Sequence, residues 1–304
     1  AKNDSQAAES HRRHAEYYLQ MLITWWEGTE SKHITTQLVP ELDNLYAAWE
    51  WAFAHQSFAL LSQAIVPLTQ FHFYTGLSID MHSFIESHHQ DLANQLKLEN
   101  DPEKQRACQQ LFISFIYAQG IYHYLQNDFD QALQCFNEAQ TLANEHEYLY
   151  LAGYIERFRG STHWRKGKVE EAEQSYEQAI HFAIQEQQPY PWIRSLLELA
   201  LCASHRGLTE KSAEYLQHAY TLLQQYPDNH LEVAYYNHQG DIYHAQGRLS
   251  ESLECYQKAA QINPDKRSAS PNLHSVGKIL WQSGSFESAK EYLEQVDSVS
   301  RYAH

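Results

Sequence analysis

Glycine and proline are scarce in this 304-residue chain, which contains only 11 and 8 of them. Patterns typical of β-strands are nearly absent, whereas Gln, Glu, Ala and Leu, which favour helices, are common throughout. A chain of this length is about twice the size of a typical single domain, so it forms either two globular domains or one elongated array. The composition favours a helical array.

Basic residues and long apolar runs are also lacking. The chain has 22 Lys and Arg against 38 Asp and Glu, a formal net charge of −16. Nucleic acid and anionic membranes both require a basic face, so we expect no direct binding to either. No apolar run reaches the roughly 18 residues of a membrane span, and we expect no export leader. We expect a cytoplasmic protein, and the absence of an initiator Met predicts that the sequence is part of a longer one.

The motifs of catalysis and of metal binding are missing as well. The four cysteines, at positions 108, 135, 202 and 255, are too widely spaced for a disulfide framework or a CxxC site and fit a reducing compartment. GxxxxGK[ST], GxSxG, HExxH and a GxGxxG after a strand do not occur. Histidine is plentiful, but pairs such as His11 with His14 come with no third ligand. We therefore predict no catalytic residue, no metal, no cofactor and no enzymatic activity.

Gly120 is unexpected, because it lies inside a predicted helix, where glycine lowers helix stability by about 1 kcal/mol relative to alanine. Offsets of 12, 16 and 19 residues lead from it to Ala132, Phe136 and Ala139. Similar sets start at Gly160, Ala200, Gly240 and Gly277, with spacings of 40, 40, 40 and 37 residues. Seven residues after each starting position comes a turn residue, namely Asn127, Gly167, Gly207, Gly247 and Gly284. The unit is thus helix, turn, helix: the small residue allows the two helices to approach closely, and the residue at offset 16 fills the space between hairpins.

This pattern of a small residue, Ala, an aromatic residue and Ala, followed in the fourth unit by Pro264, resembles the tetratricopeptide repeat. The resemblance implies an all-α fold, a right-handed superhelical solenoid of helix-turn-helix hairpins. The period exceeds the usual 34 by about six residues, which predicts longer helices or longer loops, such as residues 186–192 and 225–230.

The same pattern divides the chain into three parts. Residues 101–304 form five repeats with a period of about 40 residues, and residues 57–100 form a degenerate first hairpin with Gly76 as its turn residue. Residues 1–56 are an N-terminal helical cap or connector. The polar stretch 98–106, which contains Pro102, is the best candidate for a kink or flexible joint.

The N-terminal segment resembles the junction found in bacterial signal-transducing ATPases of the STAND class. The matching residues are His14, Tyr17, Tyr18, Asp43, Asn44, Leu45, Ala48 and Trp51. The resemblance implies that the repeats act as the sensor of an ATPase, with intramolecular contacts to a nucleotide-binding module outside this sequence. The alternative is that the tryptophans here simply cover the open apolar end of the solenoid.

The first helices of such hairpins line the concave side, which predicts the ligand groove. Its expected residues are Tyr117, Tyr124, Tyr154, Arg157, Trp164, Arg165, Arg194, Glu198, His205, Asn237, His238, Asp241, His244, His274, Lys278 and Trp281. Aromatic residues and arginine dominate binding hot spots. Arg157, Arg165 and Arg194 would make the middle of the groove locally positive and suited to an acidic segment or a carboxylate. The alternative is that these arginines pair with neighbouring carboxylates and that the aromatics are packing residues.

These observations lead to three functional hypotheses. The first is a non-catalytic domain that recognises a protein or peptide as the sensor of a STAND-type regulator. The second is a free-standing adaptor or scaffold, and the third is a quorum-sensing receptor for peptides or small molecules. A co-chaperone is disfavoured, because the Lys, Asn and Arg clamp that the resemblance would require is absent from the first helices.

Overall fold

A computed structural model describes residues 2–26, 38–75, 78–262 and 266–301, and within these ranges the fold is all-α, with no strand. The helices before the regular repeats are α1 (Lys2–Trp26), α2 (Leu42–Ala54), α3 (Phe58–Thr75) and α4 (Ser78–Leu98), with a 3₁₀ turn at Val39–Glu41. The repeat helices are α5 (Pro102–Leu125), α6 (Phe129–Glu145), α7 (Leu149–Arg165), α8 (Val169–Gln185), α9 (Pro189–His205), α10 (Thr209–Gln225), α11 (Asn229–Ala245), α12 (Leu249–Ile262), α13 (Lys266–Gln282) and α14 (Phe286–Arg301). Gly76 and Pro264, expected as a turn residue and as the terminal proline of a repeat, lie outside the described residues.

The 40-residue period comes from long helices rather than from long loops. Helices α7 to α11 have 17 residues each, and three residues connect each one to the next. The expected turn residues close the first helices in the left-handed region, at φ 61° for Asn127 and φ 75° for Gly167. Glycine adopts this conformation without steric penalty, which explains its recurrence seven residues after the small position.

The small residues also have the predicted role. An ideal Cβ on Gly120 would lie 2.5 Å from Cε1 of Phe136, and one on Gly277 would lie 2.8 Å from Cγ of Leu293. Real Cβ atoms do not approach other atoms this closely, so only glycine allows the two helices of these hairpins to pack at this distance. In both hairpins the residue at offset 16 is therefore packed against the small residue of its own hairpin.

The residue at offset 12 adds a hydrogen bond between the two helices wherever it is serine. Ser212 Oγ donates to the carbonyl oxygen of Ala200, and Ser252 Oγ to that of Gly240, each at 2.8 Å. Both serines are buried.

We expect Ser252→Ala to lower the free energy of unfolding by about 1 kcal/mol, the usual contribution of one such bond. Urea denaturation of this variant and of Ser250→Ala, which changes an exposed serine of the same helix, provides the measurement. Equal stability of the two variants would show that the hydrogen bond contributes nothing.

The helices before the repeats build their own core. Helix α1 packs on α2 and α3, and α3 packs along α5. The ring of Trp49 in α2 is fully buried, 5.2 Å from Phe84 and 6.4 Å from Phe115 between ring centroids. The polar stretch 98–106 contains the break between α4 and α5, where the Asp101 side chain caps α5 by accepting hydrogen bonds from the backbone N–H groups of Glu103 and Lys104.

The chain divides into two compact units, Ala1–Lys168 and Val169–His304. The boundary falls in the turn between the two helices of the second repeat.

Candidate functional site

In the first unit, three of the expected groove residues lie in the interior. Tyr117, Tyr154 and Arg157 are at most 2% exposed. Gln70 of α3 donates a hydrogen bond from Nε2 to the Tyr117 hydroxyl at 3.0 Å, and Trp26 of α1 donates one from Nε1 to the Tyr154 hydroxyl at 3.2 Å. Helices α1 and α3 therefore cover the side of α5 and α7 where the sequence predicted an open groove.

The Arg157 guanidinium also belongs to this packed region. It lies 4.0 Å from the ring centroid of Phe158, the distance of a cation–π contact. Phe158 in turn packs against Phe73 of α3, with 5.6 Å between ring centroids. Arg157 is thus a packing residue in this unit, which corrects the prediction that it lies on an exposed groove wall.

The remaining expected residues of this unit, Tyr124, Trp164 and Arg165, are half-buried or exposed. Arg165 reaches back to the preceding hairpin, where its Nη2 donates to Oδ1 of Asn127 at 2.7 Å. Lys166 makes an ion pair with Asp130 in the same preceding hairpin. These contacts join neighbouring hairpins at their turns, so Arg165 has a structural role here besides any contact with a ligand.

In the second unit, the structure brings together three of the expected residues. Oε1 of Glu198 lies 3.5 Å from Nη2 of Arg194 on the same helix, and 3.4 Å from Nε2 of His238 on the next first helix, α11. The three side chains are only 11–15% exposed. We call Arg194, Glu198 and His238 the charged cluster.

The tautomer of His238 determines which hydrogen bonds its ring can make in the charged cluster. Nδ1 lies 2.8 Å from the carbonyl oxygen of Ala234, so Nδ1 carries a hydrogen and donates it. Nε2 can then donate to Glu198 only if the ring is protonated. The cluster therefore contains two potential cations on either side of one carboxylate.

The neighbouring first helices α11 and α13 are linked by two pairs of polar side chains. His244 Nε2 lies 2.8 Å from Gln282 Oε1, and the Asn272 amide donates to Asn237 Oδ1. The exposed members of the expected set in this unit are His205, Asp241, His274, Lys278 and Trp281. Asn272, five residues before Gly277, and Gln282, five residues after it, are not among the expected groove residues.

Asp241 is held by the second helix of its own hairpin. It accepts a hydrogen bond of 2.6 Å from the hydroxyl of Tyr256, and burial together with this carboxylate raises the pKa of that phenol well above its usual range. Tyr256 therefore stays protonated and keeps donating to Asp241, which fixes the carboxylate at the edge of the first-helix face.

The described part of the chain contains no group of three or more His, Cys, Asp or Glu side chains able to hold a metal ion. Burial raises the pKa of the thiols of Cys108, Cys135 and Cys255 to about 11 and that of Cys202 to about 12. Thiols with such pKa values are poor nucleophiles at neutral pH. Among the described helices, none has the length and the apolar character of a membrane span.

Three of the residues that resemble the STAND junction, His14, Tyr18 and Asn44, form a hydrogen-bonded network with Glu41. His14 Nε2 of α1 lies 3.4 Å from Asn44 Oδ1 of α2, and the Tyr18 hydroxyl donates to Glu41 at 2.9 Å. The Asn44 amide also donates to Glu41, at 2.6 Å. Tyr17, next to this network, is 63% exposed.

Comparisons with known proteins identify the repeats. Family models described as tetratricopeptide repeat match residues 117–189, and residues 192–265 and 234–296. No curated protein matches the chain in sequence.

Solved structures show the same fold at low sequence identity. A Rap protein complexed with competence and sporulation factor is 13% identical, with a TM-score of 0.62 over 97% of this chain and 77% of that one. NprR in complex with its cognate peptide NprX is 13% identical, with a TM-score of 0.56 over 98% and 80%. BtubC from P. vanneervenii is 16% identical, with a TM-score of 0.53 over 72% and 92%.

Proposed function

We propose that this chain, a member of the tetratricopeptide repeat family, is a non-catalytic receptor for a peptide or an extended protein segment. The ligand would bind along the first helices α9, α11 and α13 of the second unit. The observation that carries the proposal is the charged cluster, in which Arg194, Glu198 and His238 join two consecutive first helices while each keeps some exposure.

The cluster suits recognition for an electrostatic reason. Placing three ionisable side chains in a region that is mostly shielded from water costs free energy, and the contacts among them offset that cost. Polar groups of a ligand would add further hydrogen bonds at the exposed edges of these side chains. A ligand carboxylate can pair with the Arg194 guanidinium from the exposed side of the cluster, and backbone N–H groups of a ligand can donate to Glu198. An acidic segment or a peptide C-terminus meets both requirements.

The exposed side chains on the same helices extend this surface. Asp241 on α11 and His274 and Lys278 on α13 are exposed, and together they offer both hydrogen-bond acceptors and donors. An extended segment has polar backbone groups at every residue, and a row of mixed donors and acceptors can pair with them. The likeness in fold to NprR with its peptide and to the Rap complex supports a peptide as the ligand class.

Within this class, we favour a sensor that is part of a larger STAND-type regulator, supported by the contacts of His14, Tyr18 and Asn44 at the junction between α1 and α2. The second candidate is a free-standing quorum-sensing receptor, supported by the same likeness to NprR. The reading frame upstream of Ala1 distinguishes them: a nucleotide-binding module there supports the sensor, and a start codon next to Ala1 excludes it.

Selection of a random linear peptide library on the purified protein, followed by calorimetry with one synthetic binder, tests the receptor proposal. We expect Arg194→Ala to weaken binding of that peptide at least tenfold, about 1.4 kcal/mol, because the ligand loses its charged partner. The matched control is Arg206→Ala, since Arg206 pairs with Glu173 at a turn of the same unit at 2.6 Å and should change affinity by less than about twofold.

Circular dichroism melting curves establish that both variants are folded, and Arg194→Lys provides a second, milder change at the same site. Equal affinities of the Arg194 and Arg206 variants, with both folded, would contradict the proposed site. Failure of the library to yield any peptide that binds the wild-type protein would contradict the receptor class itself.

A further inference from the structure

The first regular hairpin has an aromatic pair at its turn. Tyr124 of α5 and Phe129 of α6 pack together, with 6.1 Å between ring centroids. The next hairpin covers this pair. Phe158 of α7 lies 5.8 Å from Tyr124, and the Arg165 guanidinium lies 5.9 Å from Tyr124 and 5.3 Å from Phe129.

The last hairpin repeats this pair at the same offsets. Trp281 of α13 and Phe286 of α14 are four and nine residues after Gly277, just as Tyr124 and Phe129 follow Gly120. Their rings make an edge-to-face contact with 4.9 Å between centroids. The two side chains are 59% and 51% exposed, among the most exposed large apolar residues of the described chain.

The surface around this pair has a defined shape and charge. Trp281 and Phe286 line a hollow of about 440 Å³, and its other lining residues are Glu287, Lys290, Leu293 and Glu294. Lys290 lies between the two acidic residues on α14 and pairs with Glu294 at 3.7 Å. We call these six residues the terminal patch.

We propose that the terminal patch is the contact surface between two copies of this chain, related by a two-fold axis. An interface of this symmetry requires a patch that is complementary to itself. The terminal patch meets the requirement, because an apolar aromatic centre is bordered by one cation and two carboxylates. A ligand of one charge sign would find no such match.

The pairing that fits is an antiparallel contact between the α14 helices of the two copies. With the axis between Glu287 and Lys290, each Lys290 faces the other copy's carboxylate at position 287. Trp281 and Phe286 of both copies are then removed from water, which provides the driving force. Lys290 can also take the place over the partner's rings that Arg165 takes over Tyr124 and Phe129 in the first hairpin.

Sedimentation velocity of the purified chain, from about 1 μM to about 100 μM, tests the proposal. We expect the mean mass to rise with concentration from that of one chain toward that of two. Trp281→Ser should keep the protein monomeric over the whole range. Tyr226→Ser, which changes another aromatic side chain that is 45% exposed, should leave the association unchanged.

A charge-reversal series distinguishes this geometry from non-specific association. Lys290→Glu alone should weaken the dimer at least tenfold, because each patch then carries three carboxylates and no cation. Adding Glu287→Lys to the same chain should restore it, since the pairs are re-formed with the signs exchanged. A wild-type protein that is monomeric at the highest concentration, a dimer that survives Trp281→Ser, or a double variant that remains monomeric would each overturn the proposal.

Discussion

Gly120→Leu is expected to lower the free energy of unfolding of the first unit by about 3 kcal/mol. The first carbon of the new side chain would already overlap Cε1 of Phe136, which lies 2.5 Å from the ideal Cβ position. Phe136 is fully buried, with the rings of Tyr117 and Phe158 at 6.2 and 6.0 Å, so it has little room to move. The two helices α5 and α6 must separate, which outweighs the gain of about 1 kcal/mol from replacing glycine in a helix.

Urea denaturation followed by far-UV circular dichroism measures this effect. Gly120→Ala should destabilise less, because it adds only the first carbon. Ala213→Leu provides the control for a larger side chain on a helix, since Ala213 is exposed on α10. A midpoint for Gly120→Leu equal to that of the Ala213 variant would show that close packing at Gly120 contributes nothing to stability.

The repeat register could be predicted from the sequence because it depends on contacts within one hairpin. Gly120 packs against Phe136 where two helices approach closely, and Asn127 and Gly167 adopt the left-handed backbone conformation. Each of these requirements favours a particular residue type at a fixed position of the repeat, which the sequence shows. The connections between hairpins were predicted less accurately: the sequence predicted a longer loop over residues 186–192, but α9 begins at Pro189. Glu147 and Gln187 also adopt left-handed φ angles, both 54°, but neither residue type signals that conformation.

The placement of site residues was only partly predictable, for a related reason. Tyr117 and Tyr154 occupy positions of their repeats that predict the groove, but α1 and α3 cover them. The sequences of α1 and α3 lack the repeat pattern, so they do not indicate where these helices pack. The charged cluster could be predicted, because Glu198 and His238 are 40 positions apart and occupy the same offset in consecutive hairpins. The position of a residue relative to the small residue of its repeat identifies the helix face that it occupies. Whether another helix covers that face depends on segments that are distant in sequence.

Substitution of Trp49 tests how strongly packing of the N-terminal helices stabilises the first repeat. Its ring is fully buried in α2, where it contacts Phe84 of α4 edge-to-face and stacks on Phe115 of α5. The indole Nε1 is buried and makes no hydrogen bond to the described residues. The ring therefore contributes through apolar packing, and it bridges the N-terminal helices to the repeats.

We expect Trp49→Ala to destabilise the first unit by about 3 to 5 kcal/mol, since it leaves a cavity the size of an indole between three helices. Trp49→Phe should cost clearly less, because it keeps an aromatic ring and removes a nitrogen that has no partner among the described residues. Trp51→Phe, at a half-buried position where the ring stacks on His55 at 4.0 Å, is the matched control and should change stability by less than about 1 kcal/mol.

Hydrogen exchange of the α5 and α7 amides distinguishes two outcomes of Trp49→Ala. If α1 to α3 are integral to the unit, protection in α5 and α7 falls together with that in α2; unchanged protection in α5 and α7 would show that the repeats hold their structure without the N-terminal helices that cover Tyr117 and Tyr154.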